Sequence, residues 1–289
     1  MARIDRLLSV NIVHPVRKAV CPLPDRAVPI LMYHSISDAT EDYVPPYFRV
    51  TTKPQTFERH LAILAGRGYV VRPLREIGSL LENAGTPKKS VVMTFDDGFK
   101  DIATTVAPLL GRYGWAATVF LPTHHIDHPD QGLAKGKIHL GWGDVRELVS
   151  TGIEFGSHTV NHPMLRYCDR TVIEREVTES KKIIEDKTGV PVVSFSNPYR
   201  LPFEDGETLR FLTDCLRRAG YVYAVSTVVG IVQGLNKGYF LPRLPVNNDD
   251  DDRLFIAKLE GAYSWVNIPQ YCVRIVKKTL GIKPRGKRF

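Results

Sequence analysis

Cysteine is scarce in this 289-residue chain: Cys21, Cys168, Cys215 and Cys272 are widely scattered and form no Cys-x-x-Cys pair. That excludes a zinc knuckle, argues against a disulfide frame, and reads as reduced, buried thiols in a cytoplasmic protein. No apolar stretch approaches the roughly 20 residues that span a bilayer. The N-terminus, MARIDRLLSVNIVHPVRKAV, interrupts its apolar stretches with charge and has no small-residue cleavage site, so a secretory signal is not expected. No Gly-x-Gly-x-x-Gly follows the first predicted strand, which removes the phosphate loop of a dinucleotide-binding fold. Internal repeats and low-complexity linkers are missing too. No His follows His162, and no acid occurs from Val273 to the end.

What is present is ordinary for a soluble globular protein, with 43% hydrophobic and 24% charged residues. The formal charge of +8 is uneven. Val273 to Phe289 hold seven basic residues, and Met1 to Arg26 hold five against Asp5 and Asp25. The interior is therefore close to neutral. A nucleic-acid binder would interleave basic and aromatic residues through its folded body, so no nucleic-acid partner is expected. Basic ends with Leu, Ile and Val between the charges suit peripheral contact with an anionic membrane, at its inner face for a cytoplasmic protein; a merely solvated tail is the alternative. The chain divides into a basic N-terminal extension (1–27), one domain (28–246), and a C-terminal helical extension with a basic tail (247–289).

Within the domain, short apolar strands alternate with helical stretches. VPILMYHS leads to a helix over TFERHLAILAGRG and then YVVRPL. VVMTF is followed by a helix carrying Ile102, Val106, Leu109 and Leu110, and the alternation continues to GYFLPRLPV. This pattern predicts an α/β fold with a parallel sheet, and about seven repeats favour a distorted, TIM-like (β/α) barrel over an open sheet. In such a barrel, reactive groups sit at the C-terminal strand ends. Those predicted ends read His34, Asp96-Asp97, His158, Pro198-Tyr199 and Arg243.

Two of them form a pattern. In VVMTFDDGF, Asp-Asp-Gly is either strand-to-helix punctuation or a pair of acids sharing a cation. In SHTVNH, His158 and His162 stand four apart, a spacing that brings two imidazoles to one point. Two histidines with one carboxylate are a usual protein ligand set for a catalytic divalent metal, with positions left open.

The run resembles the polysaccharide deacetylase family, also called the NodB-homology domain or carbohydrate esterase family four. TFDDG is similar to its first motif, HTVNH to its second, and the Pro198-Tyr199 of FSNPYR to the end of its third. PILMYHSI and LPRLPV resemble flanks of a branch that includes poly-N-acetylglucosamine deacetylases. The likeness runs from about Val28 to Val246. It implies a divalent metal on Asp97, His158 and His162, zinc first, with cobalt or nickel as alternatives. It further implies Asp96 as general base for a water activated by the metal, and the Tyr199 N–H as oxyanion donor, with Pro198 and Tyr199 at the substrate. The resemblance has two departures. Ser196 stands where many members have an Arg that pairs with the base, and the late histidine that serves as acid is missing. His34, from the Tyr-His of that branch, is the candidate acid, and Arg243 the candidate to orient Asp96.

Trp142 is a candidate wall for a sugar subsite, or a core residue. His124, His125 and His128 are read as a solvated or substrate-facing loop rather than a second metal site. NNDDDD lacks the spacing of a calcium loop and is read as a helix N-terminus. The expected activity is hydrolysis of N-acetyl groups on an amino-sugar glycan or a lipid-linked precursor. The alternatives are removal of N-formyl or O-acetyl groups, or a catalytically silent glycan-binding protein.

Overall fold

The computed structural model describes residues 3–267 apart from 25, 83–88, 129–132, 134–135, 204 and 236–238, so the basic tail and Cys272 lie outside the described residues. The strands are β1 (Ile30–Tyr33), β2 (Ser35–Ile36), β3 (Thr51–Thr52), β4 (Tyr69–Arg72), β5 (Lys89–Phe95), β6 (Thr118–Leu121), β7 (Glu154–Ser157), β8 (Ser194–Ser196), β9 (Tyr223–Val229) and β10 (Phe240–Pro245). The helices are α1 (Ile4–Leu8), α2 (His14–Val20), α3 (Pro54–Gly66), α4 (Ile77–Glu82), α5 (Ala107–Gly111), α6 (Trp142–Ser150), α7 (Arg170–Thr188), α8 (Gly206–Arg218) and α9 (Asp252–Leu259).

Seven parallel strands close on themselves in the order β1-β5-β6-β7-β8-β9-β10, with β10 returning to β1. This is the predicted barrel. Every residue of β1, β6, β7 and β8 is buried, as strands covered on both faces require. The predicted strand YVVRPL exists as β4 but stays outside the ring. It pairs with the first half of β5 (Tyr69 opposite Lys89), while β1 takes the second half of the same edge (Tyr33 opposite Phe95). β2 and β3 form a separate parallel pair over the mouth side of β1.

Among the described residues, the two extensions pack against each other. α1, a π-helical turn over Ser9–Val13 and α2 run on without a break. This helix lies against α9 and the turn after it. Arg3 pairs with Asp250 (3.0 Å), His14 with Glu260 (2.8 Å), Tyr263 Oη donates to Asp5 (2.6 Å), and Trp265 Nε1 donates to Ser9 Oγ (2.9 Å). The NNDDDD acids are all engaged, in this clasp and beyond it: Asp249 pairs with Arg49, Asp250 with buried Lys258, Asp252 with Arg59, and Asp251 caps α9 by accepting from Leu254 N (2.9 Å). Arg3 and Arg6 are likewise held in ion pairs, so two of the basic residues expected to face a membrane face the protein instead. Cys21 also departs from expectation, being exposed, whereas Cys215 is buried. No helix among the described residues is long and apolar enough to cross a membrane.

Between α3 and α9, His60 is fully buried, stacked on Phe255 (4.0 Å between ring centres). Its Nε2 donates to the Asp250 carbonyl, which leaves Nδ1 to accept from Tyr33 Oη (3.0 Å). Burial pushes its pKa down to about 4. Because the folded value lies below the unfolded one, His60 contributes fully above about pH 6.5, and that stability is lost as pH falls toward 4, on the order of 3 kcal/mol. His60→Gln, which keeps both hydrogen-bonding ends, is expected to give a shallower loss of unfolding free energy between these pH values than the wild type. Urea unfolding across the range checks this, and equal slopes would show that His60 does not titrate on unfolding.

Candidate active site

The end of β5 delivers the first part of the site. Asp96 continues the strand, its N–H donating to Tyr33 O (3.0 Å), and the chain then turns through two left-handed residues, Asp97 (φ 71°) and Gly98 (φ 60°). Gly98 is required, since a Cβ there would stand 2.7 Å from Leu121 Cδ2. The turn sends the two adjacent carboxylates to different tasks.

Asp96 is buried and receives both ends of the Arg243 guanidinium, Nη1 on Oδ1 and Nη2 on Oδ2, each at 2.7 Å. Arg243 was expected at a strand end; it lies within β10 and points into the barrel. Its remaining hydrogen bonds go to Ser226 O (3.0 Å), Thr94 Oγ1 (3.1 Å) and Ser196 Oγ (3.0 Å), so all five N–H groups are engaged. Ser196 therefore does not leave the base unpaired: it bonds to the arginine from β10, and its hydroxyl also donates to Asp96 Oδ1 (3.3 Å). Burial opposes ionisation of Asp96, but the Arg243 charge beside it outweighs this and holds the carboxyl well below the usual range.

His158 follows β7, and its Nδ1 donates to Ser196 O (2.7 Å), which turns the Nε2 lone pair outward. His162 returns to the same point through a loop with Thr159 (φ 69°) and His162 (φ 55°) both left-handed, His162 N donating to Thr159 Oγ1 (3.0 Å). Glu176 of α7 clamps that loop by accepting from Val160 N (2.9 Å), Asn161 N (2.8 Å) and Asn161 Nδ2 (2.7 Å). The two Nε2 atoms stand 3.1 Å apart, and Asp97 Oδ1 lies 3.6 Å from one and 3.4 Å from the other. Tetrahedral bonds of about 2.0–2.1 Å place ligand atoms about 3.3–3.4 Å apart, so these three fit a divalent ion. Burial lowers His158 to about 4 and His162 to about 3, leaving both imidazoles neutral and able to coordinate near neutral pH. Among the described residues this is the one such set.

His34 is half-buried just after β1 and lies within electrostatic range of both Asp96 and His162. Tyr199 (φ 56°) packs its ring 4.8 Å from that of His162, with Pro198 buried behind it. Trp142 is not a subsite wall: it is buried in the main hydrophobic core at the start of α6. His124 and His128 stack (5.2 Å), and His125 stacks on His139 (5.3 Å). His139, for which the sequence offers no motif, accepts from Leu133 N (3.2 Å) and donates through Nδ1 to the Asp97 carbonyl (2.8 Å), steadying the strained ligand residue.

Fold and cluster together define a class: a barrel hydrolase whose mouth sets a two-histidine, one-carboxylate group beside a second carboxylate kept anionic by an arginine. Residues 83–222 match the family model described as polysaccharide deacetylase. The chain is 30% identical over 234 residues to the "Putative polysaccharide deacetylase YxkH" of Bacillus subtilis (strain 168), covering 81% of this chain and 76% of that one. It is 23% identical over 207 residues to the poly-beta-1,6-N-acetyl-D-glucosamine N-deacetylase of Staphylococcus aureus, covering 68% of each. The solved Streptococcus pyogenes deacetylase PplD, in complex with acetate, superposes with a TM-score of 0.68 at 25% identity, covering 83% of this chain and 99% of that one. The chain belongs to the polysaccharide deacetylase family.

Arg243→Met would strand the Asp96 carboxylate in the barrel without its partner. The expected cost is about 3–5 kcal/mol of unfolding free energy, as for other broken buried pairs. Denaturant titration measures it, and a loss under about 1 kcal/mol would mean that the pair does not hold the site together.

Proposed function

We propose that this protein hydrolyses N-acetyl groups on the amino sugars of a glycan, using a divalent cation, zinc first, held by Asp97, His158 and His162. The observation that carries the reading is the division of labour between neighbouring acids: Asp97 joins two neutral imidazoles, while Asp96 is held ionised by Arg243 within the same pocket. When bound, the cation supplies a Lewis acid that polarises the acetyl carbonyl and lowers the pKa of a water molecule. That matters for Asp96, because a carboxylate with so depressed a pKa is a weak base toward ordinary water.

Asp96 takes the proton as the water oxygen bonds to the carbonyl carbon. In this reading the N–H of Tyr199 donates to the developing oxyanion, and its carbonyl accepts from Thr227 Oγ1 (3.2 Å). His34 protonates the sugar nitrogen as the C–N bond breaks, since an amide nitrogen expelled as an anion is a very poor leaving group. Acetate and a free amine result. The Arg243 pairing answers one of the two departures behind the silent glycan-binder alternative, and the names of its relatives support N-acetyl over other acyl groups.

The deciding assay is acetate release from N-acetylglucosamine oligomers after metal stripping and return of zinc, cobalt or nickel. One ion per chain with acetate release is expected; sugar binding without acetate under every metal would make the protein a binder. Asp96→Asn is expected to keep its ion and lose about 10²- to 10⁴-fold in turnover. A variant with near-full turnover would remove Asp96 from the role of base. His34→Ala should lower turnover steeply, leave ion content and folding intact, and abolish the alkaline limb of the pH–rate profile. Survival of that limb would place the acid elsewhere.

A further inference from the structure

The helix running from α1 through the π turn into α2 carries aliphatic side chains on both its inner and its outer side. Its polar and charged side chains, among them Arg3, Asp5, Arg6, Ser9 and His14, engage α9 and the turn beyond it. Val10 and Val13 pack on the main core, but five other aliphatic side chains face away from the protein: Ile4 is 69% exposed, Leu7 45%, Ile12 55%, Val16 56% and Val20 78%. The π turn winds more slowly than an α-helix, which brings the fourfold spacing of Ile4, Ile12, Val16 and Val20 back onto one side. The charged residue on that outer side is Lys18, and no acid lies there. A surface helix ordinarily presents the opposite arrangement, and a contiguous aliphatic stripe of this kind marks an interaction site.

Charge points to the partner. Trp265 is fastened to Ser9, so the chain enters its last segment beside this helix, and that segment carries seven basic residues and no acid from Val273 on. A second copy would bring a second segment of the same charge, which repels the first. An anionic lipid surface would attract both, and it offers the aliphatic stripe an apolar medium.

We propose that the Ile4–Val20 helix is an interfacial membrane anchor, its aliphatic side lying in the headgroup–acyl boundary of an anionic bilayer. The inference is independent of the reaction assigned above, since it uses no residue of the barrel mouth.

The test is flotation of the full chain with vesicles of phosphatidylcholine alone or mixed with phosphatidylglycerol. Binding to the mixed vesicles is expected, weakening as salt is raised. Ile12→Glu with Val16→Glu should lower the bound fraction about ten-fold or more, while circular dichroism and melting temperature stay at wild-type values. Should that pair disturb folding, Ile4→Gln with Val20→Gln probes the two most exposed positions. Lys277→Glu with Lys278→Glu should remove much of the salt-sensitive part. Three results would overturn the proposal. The first is no wild-type binding to either vesicle. The second is unchanged binding by the folded stripe variants, which would leave the basic segment as the whole anchor. The third is a wild-type dimer by light scattering that the stripe variants dissociate, which would make a second copy the covering partner.

Discussion

At the centre of the barrel one guanidinium meets one carboxylate, both nearly withdrawn from solvent. Bringing either charge there alone would cost several kcal/mol, and the pair is tolerable because no donor is left over. Arg243 satisfies Asp96 through two N–H groups and spends the rest on Thr94, Ser196 and Ser226. Those partners belong to β5, β8 and β9, with the arginine itself on β10, so four of the seven strands are tied to a single planar group. The pair acts as a structural hub and as an electrostatic setting, because the same contacts that cross-link the barrel keep Asp96 ionised.

Outward from that hub, order becomes progressively more strained. Four of the five non-glycine residues with positive φ among those described lie at the candidate metal cluster, Asp97 and His162 within it and Thr159 and Tyr199 beside it. For a β-branched residue such as Thr159 this conformation is costly, and it persists where surrounding contacts determine it. Those contacts are present: Glu176 holds the backbone of the histidine loop, and His139 holds the carbonyl of Asp97. Buried groups of moderate distance from the reacting atoms thus carry the cost of aiming three ligand atoms at one point.

The parts of this arrangement that were legible in the sequence are those written over short stretches. Asp96 and Asp97 are adjacent, His158 and His162 are four apart, and the alternation of strands and helices repeats often enough to imply seven strands closing into a ring. What was not legible depends on contacts between distant positions. Arg243 had the right charge, but its burial within β10 and reach to β5 follow from the barrel's closure, not from the residues around it. Glu176 looks like any acid on the polar side of a long helix, and His139 like a residue in a polar loop. Trp142 invited a role on the surface because aromatic faces suit sugars, yet its place at the first turn of α6 packs it inward. The two ends offered only their charge, and charge alone did not reveal that Arg3 and Arg6 turn toward Asp250 and Asp251.

A closed ring of strands has an axis that is nearly equidistant from every member, and this changes what a sequence signature can mean. A long side chain from β10 supplies the charge that the family resemblance leads one to expect from β8, and Ser196 on β8 is its hydrogen-bond acceptor. The required feature is a positive charge at one location, and several addresses along the chain can deliver it. A motif read letter by letter at Ser196 therefore misses this charge, whereas a pattern written as distances among a guanidinium, two carboxylates and two imidazoles would find it.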